Sequence, residues 1–165
     1  MYTYCLFCET GRCDHVAKSI MRKISCRALY PKQVQHTWSK GKMVDIIHDL
    51  LPGYVFWETD NLSRIQDIKK EEGFIGFLPN DNGIKPLSAK DTELVTSFLQ
   101  YGRVIPILNV EFDVNDRIVI VDGMFKGMEG YISDVNRSNK RINFAVTLMD
   151  GKRILSLSYR EVQKK

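Results

Sequence analysis

The apolar residues of this chain follow two different patterns, and the change between them comes near residue 100. Before it, apolar runs at residues 2–7, 54–58 and 74–78 predict strands. Three segments with helical spacing, at residues 14–24, 62–68 and 88–99, alternate with these strands. Such an alternation predicts an α+β or α/β layered domain.

The first and third of these helices carry signals for where they begin. Ala17, Ile20, Met21 and Ile24 recur at i, i+3, i+4 and i+7, which predicts an amphipathic helix with Asp14 as its N-cap. The third helix follows Ser88-x-x-Asp91, a variant of the capping box in which Asp replaces the usual Glu or Gln.

After residue 110 the pattern is that of short strands only. Apolar residues alternate with polar ones from residue 141 to 148 and again from 155 to 159, and Asp150-Gly151 between them predicts a hairpin. Strands at 118–121 and 131–135 flank Asp122-Gly123. Four or five strands in about 50 residues predict a small SH3-like barrel. We therefore expect domains at 1–100 and 111–165, joined by a linker at 101–110.

Composition narrows the possible classes. The chain has 165 residues, of which 44% are hydrophobic and 27% charged, as in ordinary globular proteins. No apolar run approaches the roughly 20 residues that a membrane span needs, and no signal sequence follows Met1, so we expect a cytoplasmic protein without a membrane partner. No catalytic motif is present and the three histidines lie in separate segments, so we expect neither an enzyme nor a cofactor.

The four cysteines all lie within the first 26 residues. Cys5, Cys8 and Cys13, with His15 and Cys26 nearby, could be interpreted as a zinc site. However, Cys5 and Cys8 fall on a predicted strand, where side chains three apart point to opposite faces, and a second ligand pair is missing. We favour reduced thiols that pack as small hydrophobes, and no metal.

Charge is distributed unevenly along the first domain. Residues 9–42 hold eight basic and two acidic side chains, whereas residues 43–99 hold five basic and ten acidic ones. The basic face of the first helix therefore predicts contact with a nucleic-acid backbone; the alternative is a solvated face that serves only solubility. The candidate nucleic-acid residues are Arg12, Lys18, Arg22, Lys23, Arg27, Lys40 and Lys42.

Several motifs, in order, carry a family resemblance. Residues 51–56, LPGYVF, are similar to the FPGY signature of NusG-type N-terminal (NGN) domains, and 73–78, GFIGFL, and 86–88, PLS, resemble later motifs of that domain. Residues 113–135 closely resemble the KOW motif of small barrels on ribosomes and RNA polymerases. The whole chain thus resembles the NusG family of transcription elongation factors. In its length and its basic first helix, the chain most resembles the specialised LoaP-type antiterminators of this family.

The resemblance implies an NGN-type α/β sandwich followed by a KOW barrel, in a monomer that binds the clamp helices of RNA polymerase. Carried over by position, the polymerase-binding residues are Leu51, Pro52, Tyr54, Phe56 and Phe77. The alternative for Phe56 and Phe77 is that they belong to the core. Met124, Phe125 and Met128 lie on a KOW loop that the alternation does not bury, which favours a protein contact. The resemblance implies that the partner is a ribosomal protein or a termination factor.

The resemblance implies processive transcription antitermination at specific operons, and from the basic face of the first helix we hypothesise recruitment by a hairpin in the nascent RNA. Two alternatives stay open on the sequence. One is a general housekeeping NusG-type elongation and termination factor. The other is a ribosome-associated KOW protein, which would lack a polymerase-binding first domain.

Overall fold

A computed structural model describes residues 2–24, 27–78, 84–100 and 104–162. Cys26, one of the weighed zinc ligands, lies outside these ranges. The elements in chain order are β1 (Tyr2–Cys8), α1 (Cys13–Lys23), β2 (Arg27–Leu29), β3 (Lys32–Ser39), β4 (Lys42–Asp49), β5 (Tyr54–Thr59), α2 (Ile65–Ile68), β6 (Phe74–Leu78), α3 (Ala89–Gln100), β7 (Val104–Ile105), β8 (Leu108–Phe112), β9 (Ile118–Ile120), β10 (Ile132–Asn136), β11 (Arg141–Leu148) and β12 (Gly151–Glu161).

The chain folds into two compact units that do not follow its order. Unit 1 comprises Met1–Pro31 and Leu51–Leu99, and unit 2 comprises Lys32–Leu50 and Gln100–Lys165. The β3–β4 hairpin therefore belongs with the C-terminal strands, although it interrupts the sequence of unit 1. The segment expected to be a linker contains β7 and the start of β8. The domain bounds inferred from the sequence remain a prediction.

Unit 1 is built on an antiparallel sheet of order β2-β5-β1-β6. Alternation along the strands divides the side chains between two faces. One face packs with α1 and α2 in a core that includes Leu6, Val55 and Trp57. Cys5 and Phe56, which are paired across β1 and β5, lie on the opposite face and are buried as well. The central strands are thus covered on both faces, as expected of an α/β sandwich.

The three predicted helices are present, with one correction. Helix α1 begins at Cys13 with Arg12 as its N-cap, so Asp14 lies in the first turn and the predicted Asp14 cap is wrong. A carboxylate in the first turn still interacts favourably with the helix dipole. The cap of α3 is confirmed, because the Asp91 backbone N–H donates to Ser88 Oγ at 3.1 Å. Among the described residues, no helix is long and apolar enough to cross a membrane.

Unit 2 contains a five-stranded sheet of order β10-β11-β12-β8-β9 and a three-stranded sheet of order β4-β3-β7. Strand β12 pairs antiparallel with β11 and parallel with β8. The largest fully buried aromatic side chains of unit 2 are Phe125 and Phe144, whose ring centroids lie 4.9 Å apart. The predicted alternation of residues 141–148 is confirmed, since every even-numbered side chain from Ile142 to Leu148 is buried.

The turn between β11 and β12 differs in register from the prediction. Leu148 pairs with Gly151, so the two loop residues are Met149 and Asp150, both with positive φ (54° and 59°). This is the conformation of a type I′ turn, which usually takes Asn or Asp followed by Gly. The hairpin was predicted from Asp150-Gly151, but the alternating strands place the turn one residue earlier.

The β3–β4 hairpin was not predicted from the sequence. Its turn residues Lys40 and Gly41 both have positive φ (50° and 76°), again as in a type I′ turn. Strand β3 also pairs parallel with β7, and the His36 backbone N–H donates to Ser158 Oγ at 3.0 Å. These bonds attach the hairpin to the C-terminal strands within unit 2.

Candidate functional site

The Pro52-Gly53 turn of unit 1 is fixed by three backbone features. The Tyr54 N–H donates to the Leu51 carbonyl at 3.1 Å, and the Cys8 N–H donates to the Gly53 carbonyl at 2.9 Å. Gly53 has φ of +93°, which suits the third position of a type II turn with proline before it. A Cβ at Gly53 would lie 2.3 Å from Cε2 of Phe7. Only glycine therefore fits this turn.

The turn presents two aromatic rings beside each other. Phe7 and Tyr54 are directly paired across β1 and β5, and their ring centroids lie 5.3 Å apart at an angle of 60°. Both are half-buried and Pro52 is exposed. On the other side of Phe7, the paired residue is Gly76, which has no side chain to cover the ring. Phe7, Pro52 and Tyr54 form what we call the Phe7–Tyr54 patch.

The other three residues selected for polymerase binding are not on the surface. Leu51, Phe56 and Phe77 retain 4%, 1% and 5% of their exposure. Phe77 pairs with Leu6 and its ring lies 4.9 Å from that of Phe74, within the core beneath α1 and α2. Phe56 and Phe77 therefore belong to the core, as the alternative interpretation held, and Leu51 is buried as well. These side chains are buried and present no surface of their own.

Phe7 is the patch residue that sequence reasoning missed. It is the last aromatic residue of the first apolar run, which the sequence assigns only to a strand. Its role depends on antiparallel pairing with Tyr54, and that pairing joins residues far apart in the chain. The Pro-Gly dipeptide indicates that another group approaches Gly53 closely, but the sequence does not identify that group as the Phe7 ring.

The basic face of α1 is smaller than predicted. Lys18 and Arg22 lie four residues apart on the helix and are both exposed. Arg27 does not extend this face, because α1 ends at Lys23 and Arg27 begins β2. Lys40 and Lys42 belong to unit 2. Of the seven candidate residues, the structure therefore places Lys18 and Arg22 together on an exposed helix surface.

Lys23 is directed to an acidic partner. Glu71 accepts hydrogen bonds from Lys23 Nζ and Ser19 Oγ, and His15 Nε2 lies 3.2 Å from its carboxylate. These partners are spaced four residues apart, so they share one side of α1. The hydrogen bond from Lys23, followed by that from Ser19, lowers the pKa of Glu71 below its ordinary value. This side of α1 thus stabilises unit 1.

Two further basic candidates are paired with acids from the segment that the sequence set apart. Arg12 contacts Glu72 and Arg27 contacts Glu58, each at 2.9 Å. The pairing of β2 with β5 places Arg27 opposite Glu58. The prediction that acidic side chains lie apart from the basic ones is therefore wrong for these pairs, because folding joins segments that the linear charge pattern separates.

The KOW loop is only partly exposed. Phe125 is fully buried beside Phe144, so its predicted role as a surface contact is wrong. Met124 and Met128 remain half-buried. Gly123 and Gly127, with φ of +81° and +87°, reverse the chain on either side of Phe125 and let it fold inward.

The N-terminal cysteines pack in unit 1. Cys8 Sγ donates to Cys13 Sγ at 2.7 Å, and burial raises the pKa of the Cys8 thiol. Cys5 lies on the opposite face of β1 from Cys8. Among the described residues, no group of three or more His, Cys, Asp or Glu side chains could hold a metal ion.

Comparison with a solved structure supports the fold. The structure named "Domain interaction in Thermotoga maritima NusG" matches with a TM-score of 0.52, covering 95% of this chain and 93% of that chain at 16% identity. At this identity the likeness concerns the fold alone. It confirms the predicted class, an NGN-type α/β sandwich with a small KOW-type barrel.

Curated relatives include three transcription termination/antitermination proteins NusG. The protein of Lactococcus lactis is 28% identical over 114 residues, covering 67% of this chain and 60% of the relative. Those of Neisseria meningitidis and Borreliella burgdorferi are 26% and 25% identical, covering 65% and 66% of the relatives. This chain thus spans slightly less than two thirds of each relative's length.

The N-terminal part of the sequence gives the firmest assignment. A family model described as "Transcription termination factor nusG" matches residues 1–96, which is more than half of the chain and includes the Phe7–Tyr54 patch and helix α1. The chain belongs to the NusG family.

Proposed function

We propose that this protein binds RNA polymerase and promotes processive transcription antitermination at specific operons, with recruitment by a hairpin in the nascent RNA. The observation that carries the proposal is the family match over residues 1–96, whose relatives are named for transcription termination and antitermination. The surfaces of unit 1 supply a polymerase contact and an RNA contact.

The Phe7–Tyr54 patch is the proposed contact with the clamp helices of the polymerase. Aromatic side chains are enriched among the residues that dominate binding energy, and a rigid backbone reduces the entropy lost on binding. Here the Gly53 carbonyl accepts a hydrogen bond from Cys8 of β1, and the neighbouring side chains of Leu51 and Phe56 are buried. The patch is therefore preorganised for a protein surface.

Tyr54→Ala tests this contact. We expect it to weaken binding to RNA polymerase by about tenfold or more, as for other aromatic anchors. Tyr2→Ala, which removes an exposed ring from the other end of β1, is the matched control and should bind normally. Affinities are measured by biolayer interferometry on immobilised polymerase, with circular dichroism to verify folding. Normal binding by folded Tyr54→Ala would contradict the contact.

Lys18 and Arg22 form the proposed RNA contact. An A-form stem is recognised largely through its phosphates and 2′-hydroxyls, and arginine suits bidentate phosphate binding. Both side chains are exposed on the same side of α1. The Glu71 network holds the helix along an adjoining face.

The double variant Lys18→Ala/Arg22→Ala tests this site. It should weaken binding to the cognate leader hairpin and reduce the log–log salt slope by roughly 0.7–0.9 for each lost phosphate contact. Lys85→Ala/Lys90→Ala removes the same charge from exposed positions elsewhere in unit 1 and should leave both unchanged. Terminator readthrough with purified polymerase provides the functional readout. Equal readthrough by both double variants would contradict operon-specific recruitment through this face.

The general elongation and termination factor is the second candidate, because the matched relatives carry termination as well as antitermination in their names. The two functions differ in range. Genome-wide polymerase occupancy would support the general factor, whereas occupancy confined to a few operons would support the specialised one. Co-purification with ribosomal subunits instead of polymerase would support the ribosome-associated alternative.

A further inference from the structure

The β3–β4 hairpin carries a large aromatic side chain that the fold leaves uncovered. Trp38 is 63% exposed and is paired directly with Met43 across the two strands, so both side chains share one face. A side chain this apolar is usually at least half covered. The other tryptophan of the chain, Trp57, is 1% exposed and lies in the core of unit 1.

Beside Trp38 lies an open groove of about 310 Å³ within unit 2. The residues lining it come from the hairpin and from the turn between β10 and β11, and they are His36, Thr37, Trp38, Met43, Asn139 and Arg141. The Arg141 guanidinium donates to the His36 carbonyl at 3.5 Å. The groove therefore has an aromatic wall, a thioether, a side-chain amide and a fixed positive charge.

Further positive charge lies in the two turns at the groove. Lys40 is at the hairpin tip, two residues after Trp38, and Lys140 lies between the lining residues Asn139 and Arg141. Both are exposed and both occupy turn positions with positive φ. Asp45 shares the face of Trp38, but its carboxylate accepts a hydrogen bond from His36 Nδ1 at 2.7 Å. Among the residues that line the groove, Arg141 is cationic and none is acidic.

We propose that this groove binds one unpaired base of a single-stranded nucleic acid, stacked on the Trp38 indole, with the adjoining phosphate against Lys40 or Lys140. Exposed aromatic rings interleaved with basic side chains are the usual construction of single-strand binding surfaces. The Asn139 amide offers both a donor and an acceptor to the edge of the base. An open groove of this size has room for one base.

The charges favour nucleic acid over a protein partner at this site. An exposed tryptophan can also anchor a protein, but protein interfaces are depleted in lysine at their centre. Here Arg141 lines the groove, Lys140 is its neighbour in the chain, and Lys40 lies two residues after Trp38. The groove is in unit 2, whereas the RNA contact proposed for α1 is in unit 1, so this inference goes beyond the proposed function.

Fluorescence of the full chain tests the proposal directly. Stacking of a base on an indole quenches its emission, and Trp57 is too buried to be reached. Titration at low salt with ten-residue oligouridylate, oligoadenylate and oligodeoxythymidylate should give saturable quenching. RNA and DNA both supply the stacked base, so saturable quenching by any of the three oligonucleotides supports the proposal.

Variants separate stacking from general charge. Trp38→Ala should lower affinity for a fluorescein-labelled oligonucleotide by roughly 5-fold or more, the loss typical of one stacked base, whereas Trp38→Phe should retain most of it. Lys40→Ala/Lys140→Ala should weaken binding and flatten its salt dependence. The matched double variant Lys85→Ala/Lys90→Ala should bind as the parent does. Circular dichroism verifies that each variant is folded.

Two results would overturn the proposal. One is equal quenching by heparin, a polyanion without bases, which would show a simple anion site. The other is unchanged oligonucleotide affinity in folded Trp38→Ala. The proposed function is tested independently of the groove. Lys18→Ala/Arg22→Ala should leave the quenching of Trp38 intact whether or not α1 binds an RNA hairpin.

Discussion

The Pro52-Gly53 turn of unit 1 and the Lys40-Gly41 turn of unit 2 both contain a glycine with positive φ, but they differ in the burial of the residues around them. At the first turn Leu51 and Phe56 pack inward, and Phe7 and Tyr54 stay half-buried. At the second, the neighbouring strand residues Trp38 and Met43 stay on the surface. The first turn carries the family signature, whereas the second carries none that sequence reasoning used.

This difference separates residues that build a fold from residues that remain available for binding. A motif such as LPGYVF is recognisable because backbone geometry and core packing allow few alternatives at its positions. An exposed strand residue is under weaker structural constraint and leaves a weaker pattern. The most recognisable residues of a motif are therefore poor candidates for a contact surface. Exposed residues that the motif holds in place are better candidates.

The largest expected effect is at Phe56. Because its side chain is 1% exposed, Phe56→Ala should lower the free energy of unfolding by about 3–5 kcal/mol, the range for a large core truncation. Trp38→Ala removes a larger ring from the hairpin and should change it by about 0.5 kcal/mol or less. Urea denaturation followed by circular dichroism measures both. Comparable losses in the two variants would abolish the distinction between the turns.

Gly53→Ala and Gly41→Ala compare the two glycines themselves. Both have positive φ, so alanine is strained at each, by roughly 1–2 kcal/mol. At Gly53 the added Cβ also meets the Phe7 ring at 2.3 Å, whereas no atom lies within 4 Å of a Cβ at Gly41. We therefore expect a total loss of about 2–4 kcal/mol at Gly53. Equal losses would mean that the Phe7 ring moves aside freely.

The sequence was sufficient for the parts of the fold that depend on local pattern. The strands of β1, β5 and β6, the Ser88 cap and the alternation of β11 follow from periodicity and turn residues. The β3–β4 hairpin was missed because Lys-Gly is a weaker turn signal than Asn-Gly or Asp-Gly. In addition, β4 is exposed along most of its length, so it lacks the alternation of a half-buried strand.

The candidate sites were harder to predict because they depend on long-range pairing. The position of Phe7 beside Tyr54, and the contacts of Arg27 with Glu58 and of Lys23 with Glu71, each join segments more than 30 residues apart. A linear charge count cannot show which basic side chains will be neutralised by such partners. The charge count included Lys18 and Arg22, which are exposed together on α1. It also included three residues with acidic partners and two residues of unit 2.

Glu71 extends the comparison to charged groups within unit 1. Because its folded-state pKa is lowered, chiefly by Lys23, its contacts stabilise the protein fully above the ordinary carboxyl pKa and are lost as pH falls through the lowered value. Glu71→Gln should cost about 1–2 kcal/mol at pH 7 and should reduce the loss of stability on acidification. Glu72→Gln, at a more exposed pair, is the control and should cost less than about 0.5 kcal/mol. Urea titrations across a pH series measure both.

One substitution made in both regions compares their burial directly. Val44 lies in β4 and is 37% exposed, whereas Val55 lies in β5 and is fully buried. Threonine has nearly the same shape and keeps the β-branch, so Val→Thr changes little except the burial of a hydroxyl group. Val55→Thr should therefore lose about 1–3 kcal/mol, and Val44→Thr should stay within about 0.5 kcal/mol of the parent. If Val44→Thr is destabilised as strongly as Val55→Thr, the face of the hairpin that carries Val44 is covered in solution, and the two regions would not differ as the burial of these valines implies.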